Sequence, residues 1–230
     1  MFRFQDVTKT YTRRGETVAA FQCEELDIPM GDYVAIVGPS GSGKTTLLSL
    51  LGGMLSPTRG RVWLGEHSLY ELPVAERARL RRELMGFVFQ SFNLVPYLTA
   101  LENVQVPLCL AGLSASNQRD RAAAMLERFG LAARLHHKPS ELSIGQQQRV
   151  ALARTLVNNP RVILADEPTG NLDPASREVV LGALAECHRE GRTIVTVTHD
   201  PVAAKQAKRS LCLRDGKLVE SETIPTARAA

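Results

Sequence analysis

The run YVAIVGPSGSGKTTLLSLLGG at Tyr33–Gly53 constrains this chain more than any other segment. Its first part, Tyr33–Gly38, is a continuous apolar, β-branched stretch, the pattern of a strand covered on both faces. Its last part reads as a helix that closes on the pair Gly52–Gly53. Between them, Gly38, Pro39, Ser40, Gly41, Ser42, Gly43, Lys44 and Thr45 fit G-x-x-x-x-G-K-[ST] at every fixed position. Glycines let such a loop curl so that successive N–H groups point inward, and the helix that starts at Lys44–Thr46 adds its positive dipole end. Lys44 is placed to reach phosphate oxygens, and the Thr45 hydroxyl to ligate Mg²⁺. The segment therefore predicts a nucleoside-triphosphate site.

RVILADEP at Arg161–Pro168 supplies an acidic partner. It is an apolar strand with Asp166 and Glu167 at its C-terminal end, where open α/β sheets place their ligands. Asp166 is expected to bind Mg²⁺, and Glu167 to polarise an attacking water. Together the two segments predict nucleotide hydrolysis.

The rest of the chain sets these motifs in an α/β fold. FRFQDVTKTY and VAAFQCEELDI alternate like antiparallel strands joined by a charged turn around Gly15, and RGRVWLG adds another short strand. GFVFQ reads as a strand ending at Gln90, TIVTVTH as one ending at His199, and RSLCLRDGKLVES as a hairpin turning at Asp215–Gly216. Helical patterns fill LPVAERARLRREL, most of Thr99–Arg134 and PASREVVLGALAECHRE. Strands alternating with helices predict a mainly parallel core sheet with an antiparallel edge, carrying a helical insertion. The expected division of a single domain is a core of 1–90 and 161–224, a helical part of about 91–160, and a tail of 225–230.

Composition excludes several classes. With 44% hydrophobic and 23% charged residues, the chain is globular, not disordered or rod-like. The net charge of +4 comes from residues spread along the chain, so no nucleic-acid partner is expected. Cys23, Cys109, Cys187 and Cys212 are too scattered for a zinc site and read as small buried hydrophobes. The adjacent His136 and His137 read as a solvated connection. No apolar signal region opens the chain, and LLSLLGGML at Leu47–Leu55 falls far short of the ~20 residues of a membrane span. A cytosolic chain, reaching a membrane only through a partner, is the expectation.

ELSIGQQQRVALAR at Glu141–Arg154 resembles the signature sequence of the ATP-binding cassette (ABC) ATPases, and the other motifs follow in that family's order. The resemblance covers nearly the whole chain and implies ATP as the nucleotide. It implies that Ser143, Gly145 and Gln146 bind the γ-phosphate held by a second copy's loop, so that two copies form a head-to-tail pair with two composite sites. It further implies that Gln90 contacts Mg²⁺ and the attacking water, and that NLD at Asn171–Asp173 lies at the interface of the pair. His199 would contact the γ-phosphate, and Tyr11 would stack on adenine. One position departs from the pattern: Ile144 stands where the family has the first glycine of the signature. Its stiffer, bulkier side chain is expected to weaken or slow closure on ATP.

FVFQSFNLVPYLTALENV and ADEPTGNLD are similar to the subgroup serving macrolide and peptide exporters, lipoprotein-release systems and a cell-division complex. That similarity implies an integral-membrane permease as partner, met near Ser91–Leu108, with the chain peripheral on the inner face of the cell membrane. Phe92, Leu94, Val95 and Tyr97 are the candidate apolar docking residues, with internal packing as the alternative. A non-transporting ATPase of a cell-division or cell-wall complex is the alternative function.

Overall fold

The computed structural model describes residues 1–13, 15–170 and 172–220. Asn171 and the tail Pro225–Ala230 lie outside the described residues. Ten strands are present: β1 Phe2–Arg13, β2 Glu16–Ile28, β3 Tyr33–Val37, β4 Arg59–Leu64, β5 His67–Ser68, β6 Met85–Val88, β7 Val162–Asp166, β8 Thr193–Thr198, β9 Arg209–Arg214 and β10 Lys217–Glu220. They are joined by helices α1 Lys44–Leu51, α2 Val74–Leu84, α3 Ala100–Leu110, α4 Ala115–Arg128, α5 Ile144–Leu156, α6 Pro174–Arg189 and α7 Pro201–Ala204.

The strands form one sheet in the order β5-β4-β1-β2-β10-β9-β3-β8-β7-β6. From β9 to β6 every neighbouring pair is parallel, while β1, β2, β4 and β5 pair antiparallel. The expected α/β fold with an antiparallel β part is present. The antiparallel strands are continuous with the core sheet, although β2 and β10 share a single register pair, Gln22 with Lys217. The β9–β10 hairpin turns where expected, with Asp215 and Gly216 both left-handed at φ 47° and 76°.

The apolar runs are continuous because both faces of the parallel strands are covered. Val34 and Ile36 of β3 join Val162 and Leu164 of β7 in a core under α1, packed on Leu47, Leu50 and Leu51. Tyr33 and Ala35, with Ile163 and Ala165, face the opposite way into a core with α3, α4 and α5. The two cores hold the sheet between helical layers, and the motif residues sit just past the strand ends.

Several boundaries differ from the sequence reading. The strand expected to reach Gln90 stops at Val88, because Phe92 and Asn93 turn the chain with φ of 57° and 50°. β8 likewise stops one residue short of His199. Phe92 and Leu94 pack against the helical core, while Tyr97 is 83% exposed and Val95 is also exposed. Of the cysteines only Cys187 is buried; Cys109 is exposed, and Cys23 and Cys212 are half-buried, since they lie on a helix end and on strands next to the open fork of the sheet.

Candidate active site

The phosphate loop is built from tight backbone contacts. Gly43 takes φ 101°, and a Cβ there would stand 2.2 Å from the Ala20 carbonyl oxygen of β2. Only glycine fits this approach. Gly43 also caps α1 without any side-chain acceptor, and the first turn holds no acidic residue. The N–H groups of Lys44, Thr45 and Thr46 therefore meet an anion without competition from the protein. Lys44 is buried and donates to the Gly38 and Pro39 carbonyls, at 2.9 Å each. Its ammonium thus lies across the loop. Ser42 is buried beneath it, while Pro39, Ser40 and Gly41 are exposed.

The acidic pair lies beside the loop. Thr45 Oγ1 donates to Asp166 Oδ2 at 3.2 Å. Burial pushes the Asp166 carboxyl up and the neighbouring Glu167 adds to this, whereas the Thr45 hydrogen bond and Lys44 oppose it. A hydroxyl and a half-buried carboxylate are hard oxygen donors, which fits a Mg²⁺ ion completing its shell with phosphate and water.

Glu167 follows β7 in the left-handed region at φ 46°, and its N–H donates to the Val197 carbonyl at 2.9 Å. This turn aims its carboxylate at β8. Oε1 pairs with His199 Nδ1 at 2.8 Å, and Oε2 accepts the His199 N–H at 3.3 Å. Glu167 is 13% exposed against 71% for His199, so the imidazole bridges a sheltered carboxylate to the open face. Gln90 joins the group from the turn after β6, its Nε2 standing 3.2 Å from where a Cβ of Gly170 would be. Residues from the ends of β3, β6, β7 and β8 thus converge on one edge.

Ser143, Gly145 and Gln146 form a separate surface at the start of α5. Ser143 Oγ accepts the Gln146 N–H at 3.3 Å, and Gln146 Oε1 accepts the Ser143 N–H at 2.9 Å. This reciprocal cap leaves the Ser143 hydroxyl proton, the Gln146 amide N–H₂ and the first α5 N–H groups as donors. Gly145 packs closely on α6, and a Cβ there would stand 2.0 Å from Ser176 Oγ, which would have to turn away. Asp173 caps α6 by accepting the Ser176 N–H at 3.0 Å. Ile144 is 56% exposed and its φ is not positive, so its backbone does not call for glycine. Ile144→Gly is therefore expected to cost little packing and to raise turnover at sub-saturating ATP. A rate unchanged across ATP concentrations would reject the idea that Ile144 slows closure.

Tyr11 lies apart on β1, half-exposed, paired with Val18 and beneath the Lys9 ammonium at 5.3 Å. Val18 is two residues along β2 from Ala20, the contact of Gly43.

Three supporting residues were missed by the motif reading. Arg154 donates to the Phe92 and Asn93 carbonyls at 2.6 Å each, and so holds the segment after Gln90; burial lowers its pKa. Asn103, fully buried, binds Val95, Leu98 and Thr99 through its amide. Gln148 donates to the Pro168 carbonyl at 2.9 Å and ties α5 to the turn after Glu167. Asn103 and Gln148 are amides within otherwise apolar helical patterns, a signal that could have found them; Arg154 carries none.

A glycine-rich anion cradle at a helix start, with a lysine and a strand-end acidic pair beside it, defines a P-loop nucleoside-triphosphate hydrolase. Comparison with known proteins agrees. The family model described as "ABC transporter" matches residues 22–170. The chain is 48% identical over 219 residues to a macrolide export ATP-binding/permease protein MacB of Hyphomonas neptunium, covering 95% of this chain and 34% of that one. It is 45% identical over 222 residues to the ABC transporter ATP-binding protein YvrO of Bacillus subtilis, covering 96% and 97%. The dimeric post-hydrolysis structure of the ATP-binding cassette MJ0796 with ADP and Pi superposes with a TM-score of 0.92 at 42% identity, covering 97% of this chain and 99% of that one. The chain belongs to the ABC transporter family, and it is an ATP-binding, ATP-hydrolysing cassette.

Proposed function

We propose that this cassette powers a membrane permease of the macrolide-export or lipoprotein-release type, working as a head-to-tail pair that closes on two ATP molecules. The observation that carries the reading is that the glycine loop and the Ser143–Gln146 donors stand at the starts of two different helices, α1 and α5. Gly38–Thr46, Asp166, Glu167, Gln90 and His199 lie together, while the donors of Ser143, Gly145 and Gln146 lie at the start of another helix. Each chain supplies half of two sites, so a second copy completes them.

Within that pair Lys44 and the loop N–H groups hold the phosphates, and Tyr11 offers a flat face to adenine. Thr45, Asp166 and Gln90 would hold Mg²⁺, which supplies charge neutralisation at the β- and γ-phosphates when bound. Glu167 orients and deprotonates the attacking water, and His199 donates toward the γ-phosphate. Asp173 contributes at the pair's interface. Positioning and charge stabilisation supply most of the rate.

The permease reading draws on a groove beside Gln90. It encloses about 570 Å³ between α2, β6 and α3, and its walls include Met54, Phe87, Phe89, Val106, Pro107 and Leu110. Met54 and Leu110 of this groove are exposed, as is Tyr97, and such apolar surface marks docking sites. No helix among the described residues is long and apolar enough to cross a membrane. A membrane partner bound here would place the cassette on the cytoplasmic face.

The test is a co-purification of tagged Glu167→Gln cassette, with ATP and Mg²⁺, from detergent-solubilised native membranes. Recovery of a permease with a large extracytoplasmic domain is expected. Recovery of ribosomal or DNA-associated proteins without any membrane protein would overturn the transport reading and leave the hydrolysis intact.

A further inference from the structure

Two loops and a helix of the active site meet at a carboxylate outside the motifs. Asp200 follows His199, and its side chain is 16% exposed. Its Oδ1 accepts the Val202 N–H at 2.9 Å and caps α7, and its own N–H donates to Thr198 Oγ1 at 2.9 Å. Its Oδ2 accepts the hydroxyl of Thr169, a buried residue in the turn after Glu167, at 3.2 Å. Asp200 thereby joins the turn carrying Glu167 to the turn carrying His199.

The same Oδ2 stands 3.7 Å from Arg177 Nε in the first turn of α6. That Nε is buried and makes no hydrogen bond to any described residue. The pair attracts by charge, but it lies outside the ~2.7–2.9 Å of a charge-assisted hydrogen bond. A displacement of α6 by under ~1 Å would close or release it. Ser176, the preceding residue, is the one pressed against Gly145 at the start of α5. This contact joins the signature surface to α6, and α6 in turn reaches Asp200.

We propose that Asp200 is a positioning residue for hydrolysis: it sets the register of His199 and Glu167, and through Arg177 makes that register follow α6 and the signature surface. The proposal rests on the roles given above to Glu167 and His199. It couples the surface that a chain presents to its partner's ATP with the geometry around its own. The competing account is a local brace that stabilises the fold and leaves hydrolysis alone.

Steady-state ATPase kinetics and melting temperatures of four variants distinguish the two. Asp200→Ala is expected to lower kcat about tenfold or more with the KM for ATP held within about twofold, as for lost transition-state geometry. Asp200→Asn keeps the α7 cap through its one amide oxygen, puts an N–H₂ that can donate to the Thr169 hydroxyl where Oδ2 stood, and loses the charge, so about a threefold loss in kcat is expected, matched by Arg177→Ala. The Asp200→Asn/Arg177→Ala double variant should lose no more than either alone, because both remove one contact. Should Asp200→Ala fail to fold, the remaining three carry the test. A kcat within twofold of the parent, a loss confined to KM, or losses that multiply in the double variant would overturn the proposal. Glu167→Gln run alongside separates the levels: if it turns over normally the underlying roles fail, and if it alone is inactive only the role of Asp200 fails.

Discussion

Glu167→Gln is expected to lower ATP turnover by about a thousandfold, within the range that general-base groups contribute, while ATP affinity stays within about twofold. The substitution is close to isosteric. Glutamine can still accept from His199 Nδ1 through its amide oxygen, so the 2.8 Å contact and the left-handed turn at Glu167 persist. What disappears is the negative charge that draws a proton from water. Because binding survives, the variant should hold ATP and accumulate as a closed pair, visible as an ATP-dependent dimer in size-exclusion chromatography. Turnover within tenfold of the parent would show that another group does the work.

The fold and the hydrolytic edge were legible because their physics is local. A β-branched run, a glycine loop and a helix can be read from Tyr33–Gly53 alone, and the strand-end rule places Asp166 and Glu167 beside that loop. The Asp215–Gly216 turn was legible for the same reason, since both residues must take positive φ. What the sequence concealed is non-local. Nothing in the spacing says that Arg154 reaches back across 62 residues to the Phe92 carbonyl, or that Gln148 binds the Pro168 carbonyl. The end of β6 was misplaced because GFVFQ stays apolar beyond the last paired residue, while the turn at Phe92–Asn93, which that arginine bonds, carries no glycine.

The signature shows the same divide. Two adjacent glycines are the family's pattern, but their reasons differ. Gly145 is constrained inside this chain by Ser176, whose hydroxyl would have to turn away for alanine to fit. Ile144 points outward, where any constraint must come from a second molecule. A sequence pattern records both constraints with the same letter, and the packing separates them.

Lys44→Ala is expected to weaken ATP binding by about tenfold to a hundredfold, since hydrogen bonds to charged groups contribute about 1.5–3 kcal/mol. Turnover should fall at least as far at saturating ATP, because charge develops between the β- and γ-phosphates as the bond to the leaving ADP breaks. The hydrogen bonds of Lys44 add a second consequence. Lys44 spends its ammonium protons on the Gly38 and Pro39 carbonyls, so binding must exchange those bonds for phosphate oxygens. Removing the side chain leaves two carbonyls without their donor, yet Pro39 is exposed and water can replace the lost partner. The fold should therefore survive, with a melting temperature shifted by only a few degrees, about what a loss near 1 kcal/mol produces. Titration with a fluorescent ATP analogue separates this variant from Glu167→Gln: binding is lost in the first and kept in the second. Parental affinity in Lys44→Ala would mean that the loop N–H groups alone hold the phosphates, and the lysine would then belong to the chemical step only.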